Sequence, residues 1–372
     1  MATRLKDITN IVESLAPKSY AYKWDNVGLQ LGSEKNNVEK ILIALEVTNK
    51  VLDEAIENSV DMIITHHPMI FSPLKNITKD DFKGNLIYKA IQNNISIYAA
   101  HTNIDIAPNG LNDYLVNKLN ILDSKVLDIV QNENYYKLVA FIPIGYEKTV
   151  LDAISDAGAG HIGNYSNCTF RTEGIGTFKP LEGTDPFIGK HGEIENAEEV
   201  RLETIVPKTN LNNVLNALIK SHPYEEVAYD IYPLENEGPS IGLGRIGKLD
   251  TPKTLQKLVE GIKNDINVDN IKVAGDLKAN IEKVAVINGS GADLIKLAMY
   301  KGCDCVITGD VKYHDAQDAI SQGINIIDIG HYDSEKFFVE FVCNYLKEEV
   351  EKEDLDVQVI PSILDINPFV TF

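Results

Sequence analysis

The segment from Lys40 to Thr65 can be laid on Lys283 to Thr308 without a gap, and this internal repeat is the strongest constraint on how the chain folds. Lys40 meets Lys283, Ala55 meets Ala298, Asp61 meets Asp304, Ile64 meets Ile307 and Thr65 meets Thr308. In each copy an apolar run, Ile41-Leu42-Ile43-Ala44-Leu45 or Val284-Ala285-Val286-Ile287, precedes a helical stripe and a second apolar run. Short runs of this kind, without polar alternation, read as strands buried on both faces. With a shorter connector in the second copy, Ala90-Ile91 and Ile95-Ser96-Ile97 meet Ala319-Ile320 and Ile324-Asn325-Ile326. Strand and helix alternate, which predicts an α/β class: a duplicated α/β domain, its sheet largely parallel with helices on both sides.

Between the copies lies a stretch of different character. Leu138 to Pro143 reads as a strand, followed by a helix through Val150, Leu151 and Ile154; Leu202 to Pro207, then Val214, Leu215 and Leu218, repeats it. Further strands are expected near Cys168-Thr169-Phe170 and Ala228 to Tyr232. Two βαβ units in tandem predict an inserted ferredoxin-like α+β domain, with residues 174–196 as a long loop and Glu235-Asn236-Glu237-Gly238-Pro239 as the exit linker. The expected domains are 1–127, the first half of the α/β domain; 128–237, the insert; and 238–372, the second half. An amphipathic helix through Leu5, Ile8, Val12 and Leu15 opens the chain. Trp24 to Gly32 follows, with glycines at turn positions, and is assigned a structural role rather than a place lining a site.

Composition narrows the function classes. The formal net charge is −20, from 55 acidic and 35 basic residues, which argues against binding nucleic acid or anionic membranes. No apolar run reaches the length of a membrane span, and the N-terminal residues lack a signal-peptide core. Four cysteines, Cys168, Cys303, Cys305 and Cys343, are too sparse for a disulfide framework and read as reduced thiols of a cytoplasmic protein.

The chemistry gathers at the predicted strand ends. The run Met62-Ile63-Ile64-Thr65 ends in His66-His67 and is stopped by Pro68; open α/β sheets bind ligands where strands leave the sheet. Ile95 to Ala100 ends in His101-Thr102-Asn103-Ile104-Asp105. In the second copy Gly309-Asp310 takes the place of His66-His67, and Gly330-His331 ends the next strand. His331 and Glu335 are four apart and share a helix face, an arrangement that suits a metal arm or a helix cap. His66, His67, Asp105, His331 and Glu335 together form an imidazole–carboxylate set suited to zinc, iron, manganese or cobalt. Five such side chains hold two divalent ions if one carboxylate bridges, and ions with an open position provide hydroxide near neutral pH and Lewis acidity. In the loop Thr308-Gly309-Asp310-Val311-Lys312-Tyr313-His314, Asp310 and His314 are the candidate catalytic residues, with phosphate binding or proton transfer as their role and a solvated loop as the alternative. His101 is either a residue orienting the ligands or a structural strand-end histidine. Asn288-Gly289-Ser290-Gly291 is an anion-cradling loop or a tight turn. Gly242-Leu243-Gly244-Arg245-Ile246-Gly247 lacks the flanking elements of a dinucleotide fingerprint. His222, in the insert, is structural.

Thr65-His66-His67-Pro68, His101-Thr102-Asn103-Ile104-Asp105, Thr308-Gly309-Asp310 and Gly330-His331-Tyr332-Asp333-Ser334-Glu335 resemble, in order, the signature segments of the GTP cyclohydrolase I type 2 family, also called the NGG-one-interacting-factor-three-like family. The resemblance spans essentially the whole chain, in the long form whose insert is similar to PII-signalling and CutA-type domains. It implies a dinuclear metal site on His66, His67, Asp105, His331 and Glu335, with zinc first and iron or manganese as alternatives. It also implies a toroidal homohexamer with the sites facing an internal cavity. The family name implies opening of the guanine imidazole ring of GTP with release of formate. Asn288 departs from the small residue often found before Gly-Ser-Gly in the family, which bears on the glycine loop and not on the metal ligands. A phosphoesterase acting on a nucleotide-like small molecule, and a non-enzymatic regulatory hexamer whose insert senses a ligand, are the competing readings.

Overall fold

Both copies of the repeat pair their strands in the same register. The strand Lys40–Ala44 runs parallel to Met62–Thr65 with Ile41 opposite Met62; Asn280–Ser290 runs parallel to Cys305–Gly309 with Val284 opposite Cys305. The next strands, Ser96–Ala99 and Asn325–Asp328, place Ser96 opposite Met62 and Asn325 opposite Cys305. One carboxylate closes the open end of each βαβ unit. Asp61 Oδ2 accepts from the backbone N–H groups of Glu39 and Lys40 at 2.8 and 2.9 Å, and Asp304 Oδ2 accepts from those of Glu282 and Lys283 at 2.9 and 2.8 Å. That is the physical reason the two aspartates coincide in the repeat. The structure, a computed structural model, describes residues 2–370.

The chain forms two compact units, one of residues up to Val130 together with those from Ile241 on, the other of Gln131–Ser240. In the first unit each copy of the repeat builds its own sheet, where the sequence pointed to one. A short antiparallel strand borders each, Gly28–Leu31 beside Ser96–Ala99 and Lys272–Ala274 beside Asn325–Asp328. The copies differ at the other edge: Lys40–Ala44 pairs in parallel with Gln358–Pro361, whereas Asn280–Ser290 pairs antiparallel with Tyr229–Thr254.

Strand alternation sorts the side chains into layers. Ile41, Ile43, Met62 and Ile64 of one sheet and Val284, Val286, Cys305 and Ile307 of the other face one core, shared with helices Leu5–Leu15, Leu111–Lys118, Leu255–Ile266 and Phe337–Lys352. The alternate residues Leu42, Ala44 and Ile63 pack under Asn49–Glu57 and Phe82–Gln92. Ala285, Ile287 and Val306 pack under Ile295–Tyr300 and Tyr313–Ser321. Each such fully buried aliphatic side chain contributes roughly 1.5–3 kcal/mol. Arg245, in the segment set aside as a dinucleotide motif, is buried in the strand Tyr229–Thr254 and grips Asp113 of Leu111–Lys118, with Nη2 2.7 Å from Asp113 Oδ2.

The second unit runs strand 131–143, helix Glu147–Asp156, strands Thr169–Phe178 and Glu195–Pro207, helix Leu211–Ser221 and the strand from Tyr229. Across its sheet Thr169–Phe178 lies at the edge, then Glu195–Pro207, then residues 131–143, then the strand from Tyr229. Leu138, Ile142, Val150, Ile154, Leu202 and Val214 are among its core residues. His222 is buried, with Nε2 3.0 Å from the Phe141 carbonyl, in keeping with a structural role. Two expectations fail here. Glu235–Pro239 is strand and not linker, and Gly238 approaches Glu133 so closely that a Cβ would meet its carbonyl oxygen at 2.2 Å; this glycine serves cross-strand packing, not a turn. The loop expected over 174–196 shrinks to 179–194, because Gly174 pairs with Glu199 and Phe178 with Glu195. The polar composition that suggested a loop belongs to a largely exposed edge strand.

Candidate metal centre

The strand ends of the two copies of the repeat meet within the first unit. His66 and His67 follow Met62–Thr65, and His101 follows Ser96–Ala99 and caps the five-residue helix Thr102–Ile106 that carries Asp105. In the second copy Asn325–Asp328 leads through Gly330 into the five-residue helix His331–Glu335. Each copy therefore offers a histidine and, four residues on, a carboxylate on the same helix face: His101 with Asp105, His331 with Glu335. Gly330, with φ of +86°, is the extra residue that shifts the match between His101 and His331 by one.

All four imidazoles have one ring nitrogen tied to an acceptor outside the cluster. His66 Nδ1 is 2.9 Å from the Ala100 carbonyl, His67 Nδ1 2.9 Å from Glu46 Oε1, His101 Nδ1 2.9 Å from Asp25 Oδ1, and His331 Nδ1 2.7 Å from Asp310 Oδ2. Holding Nδ1 in this way presents Nε2 to the cluster, as ligating histidines are held. Glu335 Oε2 lies 2.9 Å from His67 Nε2 and 3.1 Å from His331 Nε2. His66 Nε2 lies 3.4 Å from Glu335 Oε1 and 3.7 Å from Asp105 Oδ1. Two groups of donors result, His66 with His67 and His101, and His67 with His331 and Glu335, each with its ligand atoms within 4.8 Å of one another.

Charge is balanced inside this cluster by protons. Burial raises the Glu335 carboxyl, but His66, His331 and His67 outweigh it and hold the group well below the usual carboxylate range. Burial lowers the His67 imidazole, yet its hydrogen bonds to Glu335 and Glu46 carry it up to about 10. The hydrogen bond to Glu335, against burial, carries His331 up to about 9. Asp105 moves the other way: burial pushes it above its ordinary value despite His66 and His101.

The residues fit a divalent cation. His66 Nε2 is fully buried without a well-formed hydrogen bond, its nearest acceptors being Glu335 Oε1 at 3.4 Å and Asp105 Oδ1 at 3.7 Å, a gap between donor atoms that a cation would fill. Gly289, at φ of +62°, brings backbone so close that a Cβ would stand 2.3 Å from Glu335 Oε1 and 3.6 Å from His331 Nε2. Asn288 Nδ2 donates to Asp105 Oδ1 at 2.7 Å, and Asn112 Nδ2 donates to the Asp105 carbonyl at 3.0 Å. Ser334 Oγ accepts from Gly289 N at 2.8 Å and donates to the His331 carbonyl at 2.7 Å. Asn288 and Gly289, at the end of the strand Asn280–Ser290, thus brace the cluster.

His66, His67, Asp105, His331 and Glu335 all lie in this cluster, and the fold adds His101, Asp25 and Glu46. His101, open in the sequence between orienting the ligands and a structural role, falls one residue out of line with His331 because Gly330 is inserted, and the fold places it in a donor group. Asp25 and Glu46 lie far from their histidines in sequence, and no local pattern marks them. Asp310, also at positive φ, touches His331 Nδ1 and so acts through that ring. His314 is exposed on Tyr313–Ser321 with its ring against Tyr313, outside the donor groups. Trp24, in the segment whose glycines Gly28 and Gly32 take positive φ, is 60% exposed, and its ring centroid is 6.4 Å from that of His101.

The family model for Duf34/NIF3 (NGG1p interacting factor 3) matches residues 3–368. The chain belongs to the Duf34/NIF3 family. Within this family it is 45% identical over 362 residues to a Halalkalibacterium halodurans protein named GTP cyclohydrolase 1 type 2 homolog, covering 97% of both chains. A Bacillus subtilis relative of the same name is 44% identical over 364 residues, covering 98% of this chain and 97% of the relative. The solved structure of a Bacillus cereus protein related to NIF3 superposes with a TM-score of 0.90 at 44% identity, over 100% of each chain. The mixed α/β fold with two sheets is that of the NIF3 structures. No helix among the described residues is long and apolar enough to cross a membrane.

Proposed function

We propose that this chain is a metal-dependent hydrolase that holds two divalent ions, zinc in the first place, and acts on a nucleotide-like small molecule, with GTP ring opening as the leading reaction. One observation carries the reading: four imidazoles, each fixed at Nδ1, turn Nε2 toward two buried carboxylates contributed by equivalent helices. Ions bound there would supply Lewis acidity and a water of lowered pKa.

The chain's own groups do the rest. Glu335, whose Oε2 is reached by both His67 and His331, would hold an ion together with those two rings. Asp25, Glu46 and Asp310 accept the Nδ1 protons of His101, His67 and His331 and keep those rings from rotating. Asp310 is thereby a positioning residue, and of the two candidate catalytic residues His314 is left as the one for proton transfer. The insert is read as ferredoxin-like and akin to PII and CutA domains; its strand-helix-strand-strand-helix-strand order and its strand arrangement support this. The working form is read as a cytoplasmic homohexamer that binds neither nucleic acid nor membrane, in line with a net charge of −20.

The test is to load the purified protein with zinc, iron(II) or manganese and follow formate and phosphate released from GTP, comparing wild type with His66→Ala and Glu335→Ala. Formate release that needs metal and disappears in both variants supports ring opening. Phosphate alone replaces it with a phosphoesterase, and neither product leaves a metal-binding scaffold.

A further inference from the structure

We propose that Trp24 and Phe71 form a stacking platform beside the metal cluster, and that it takes a planar heteroaromatic ring of the substrate. The proposal rests on the reading of the cluster as a hydrolytic site and specifies the class of molecule that enters it.

Trp24 is 60% exposed and Phe71 47% exposed; other rings of the chain are as exposed, and it is the place beside His101 that sets these two apart. Their centroids are 6.0 Å apart with 54° between the planes, so Trp24 offers the stacking face and Phe71 a tilted flank, and each lies 6.4 Å from the His101 ring. His101 in turn is 5.2 Å from His66 and 5.6 Å from His67. Exposed rings thus continue directly into the donor groups, within the span of a bicyclic ring. Tyr22 stacks behind Trp24 at 5.6 Å with 16° between the planes, backing one indole face.

Hydrogen bonds on both flanks hold this wall in place. Asn26 Nδ2 donates to the Ile70 carbonyl, and Ile70 N donates to Gln30 Oε1 at 2.8 Å, so the Trp24 segment and the Phe71 segment are tied together. The covered side chain of Asp25 accepts from Thr102 N at 3.1 Å as well as from His101 Nδ1 at 2.9 Å, anchoring the segment to the cluster. A fixed, exposed aromatic surface binds a flat ring with little loss of side-chain freedom. Its exposed area, on the order of 250 Å² for the two rings, falls well short of the ~800 Å² each partner buries in a stable protein interface, so a small molecule is the occupant that fits.

Trp24 is the sole tryptophan, so intrinsic fluorescence reports on the platform directly. Metal-loaded full-length protein is titrated with GTP, ATP and UTP, and with inorganic triphosphate as the ring-free control. The nucleotides should quench Trp24 and the control should not. By calorimetry, Trp24→Ala should weaken nucleotide binding on the order of tenfold or more, Phe71→Ala less, and Trp24→Phe should restore most of it, all at unchanged metal content and unchanged mass in solution. Quenching no greater than that of triphosphate, or Trp24→Ala binding as the wild type does, overturns the platform. A change of oligomeric mass in Trp24→Ala also overturns it, because a second copy then covers the surface. Trp24-dependent nucleotide binding without formate or phosphate release keeps the platform and removes the hydrolase reading. Metal-dependent release with KM unchanged in Trp24→Ala does the reverse.

Discussion

The two copies of the repeat share one backbone plan and divide the chemistry unequally. Both place a histidine and a carboxylate four apart on a short helix after the third parallel strand, His101 with Asp105 and His331 with Glu335. At the preceding strand end they diverge. The first copy presents His66-His67, and the second presents Gly309-Asp310, where a Cβ on Gly309 would stand 2.6 Å from His331 N. At this strand end one copy supplies two of the candidate ligands; the other supplies room for them and a brace for His331. A repeat therefore positions a site without dictating its chemistry, and the asymmetry shows which substitutions matter most.

The largest expected effect is at Glu335, the carboxylate that lies against three of the imidazoles, His66, His67 and His331. Glu335→Ala should lower bound metal by at least about 100-fold in affinity and destabilise the metal-free protein by about 3–5 kcal/mol, because it strips buried imidazoles of their counter-charge. Metal analysis and thermal unfolding read both effects. Asp105→Ala, its counterpart in the first copy, should do less, since His67 and His331 both reach Glu335; an equal effect would break the asymmetry.

Next comes Gly289→Ala. A Cβ 2.3 Å from Glu335 Oε1, at φ of +62°, should cost about 1–3 kcal/mol and reduce metal content. A tolerated alanine with full metal content would show that the backbone need not approach so closely.

The braces come third. Glu46→Ala and Asp310→Ala should each weaken metal binding by about 10–100-fold, with the effect on activity following metal occupancy. A drop in kcat at full occupancy in Asp310→Ala would give Asp310 a direct role in the chemistry.

The smallest effect is proton linkage. With His67 carried up to about 10 and His331 to about 9, metal uptake near neutral pH must displace protons from these rings. Calorimetry in buffers of different ionisation enthalpy should show net proton release, and apparent affinity should fall as pH falls. In the metal-free protein, raised imidazole values add stability that is complete below about 6.5 and is lost as pH climbs through about 9 to 10. Metal uptake without proton release would contradict this charge balance.

The repeat was legible because buried parallel strands leave continuous apolar runs and because Asp61 and Asp304 perform the same backbone capping. The clustering of the five expected ligands was legible because each sits at a strand end or four residues beyond one. What stayed hidden was non-local. Asp25 and Glu46 reach their histidines only through the fold, the part played by His101 rests on its contact with Asp25 and its approach to His66 and His67, and Trp24 is defined by what lies across from it. The misread linker and loop share another cause: polar and glycine-rich residues also suit exposed edge strands, as Thr169–Phe178 shows.

The most direct test of the central claim, that strand ends from both copies close on one metal centre, is anomalous diffraction from crystals of the metal-loaded protein, collected on either side of the metal's absorption edge. The account predicts anomalous peaks within bonding distance of Nε2 of His67 and His331 and of the Glu335 carboxylate, with His66 completing the set. Crystals of protein shown to contain metal that give no peak there, or a peak bound by one copy's residues alone, would contradict it.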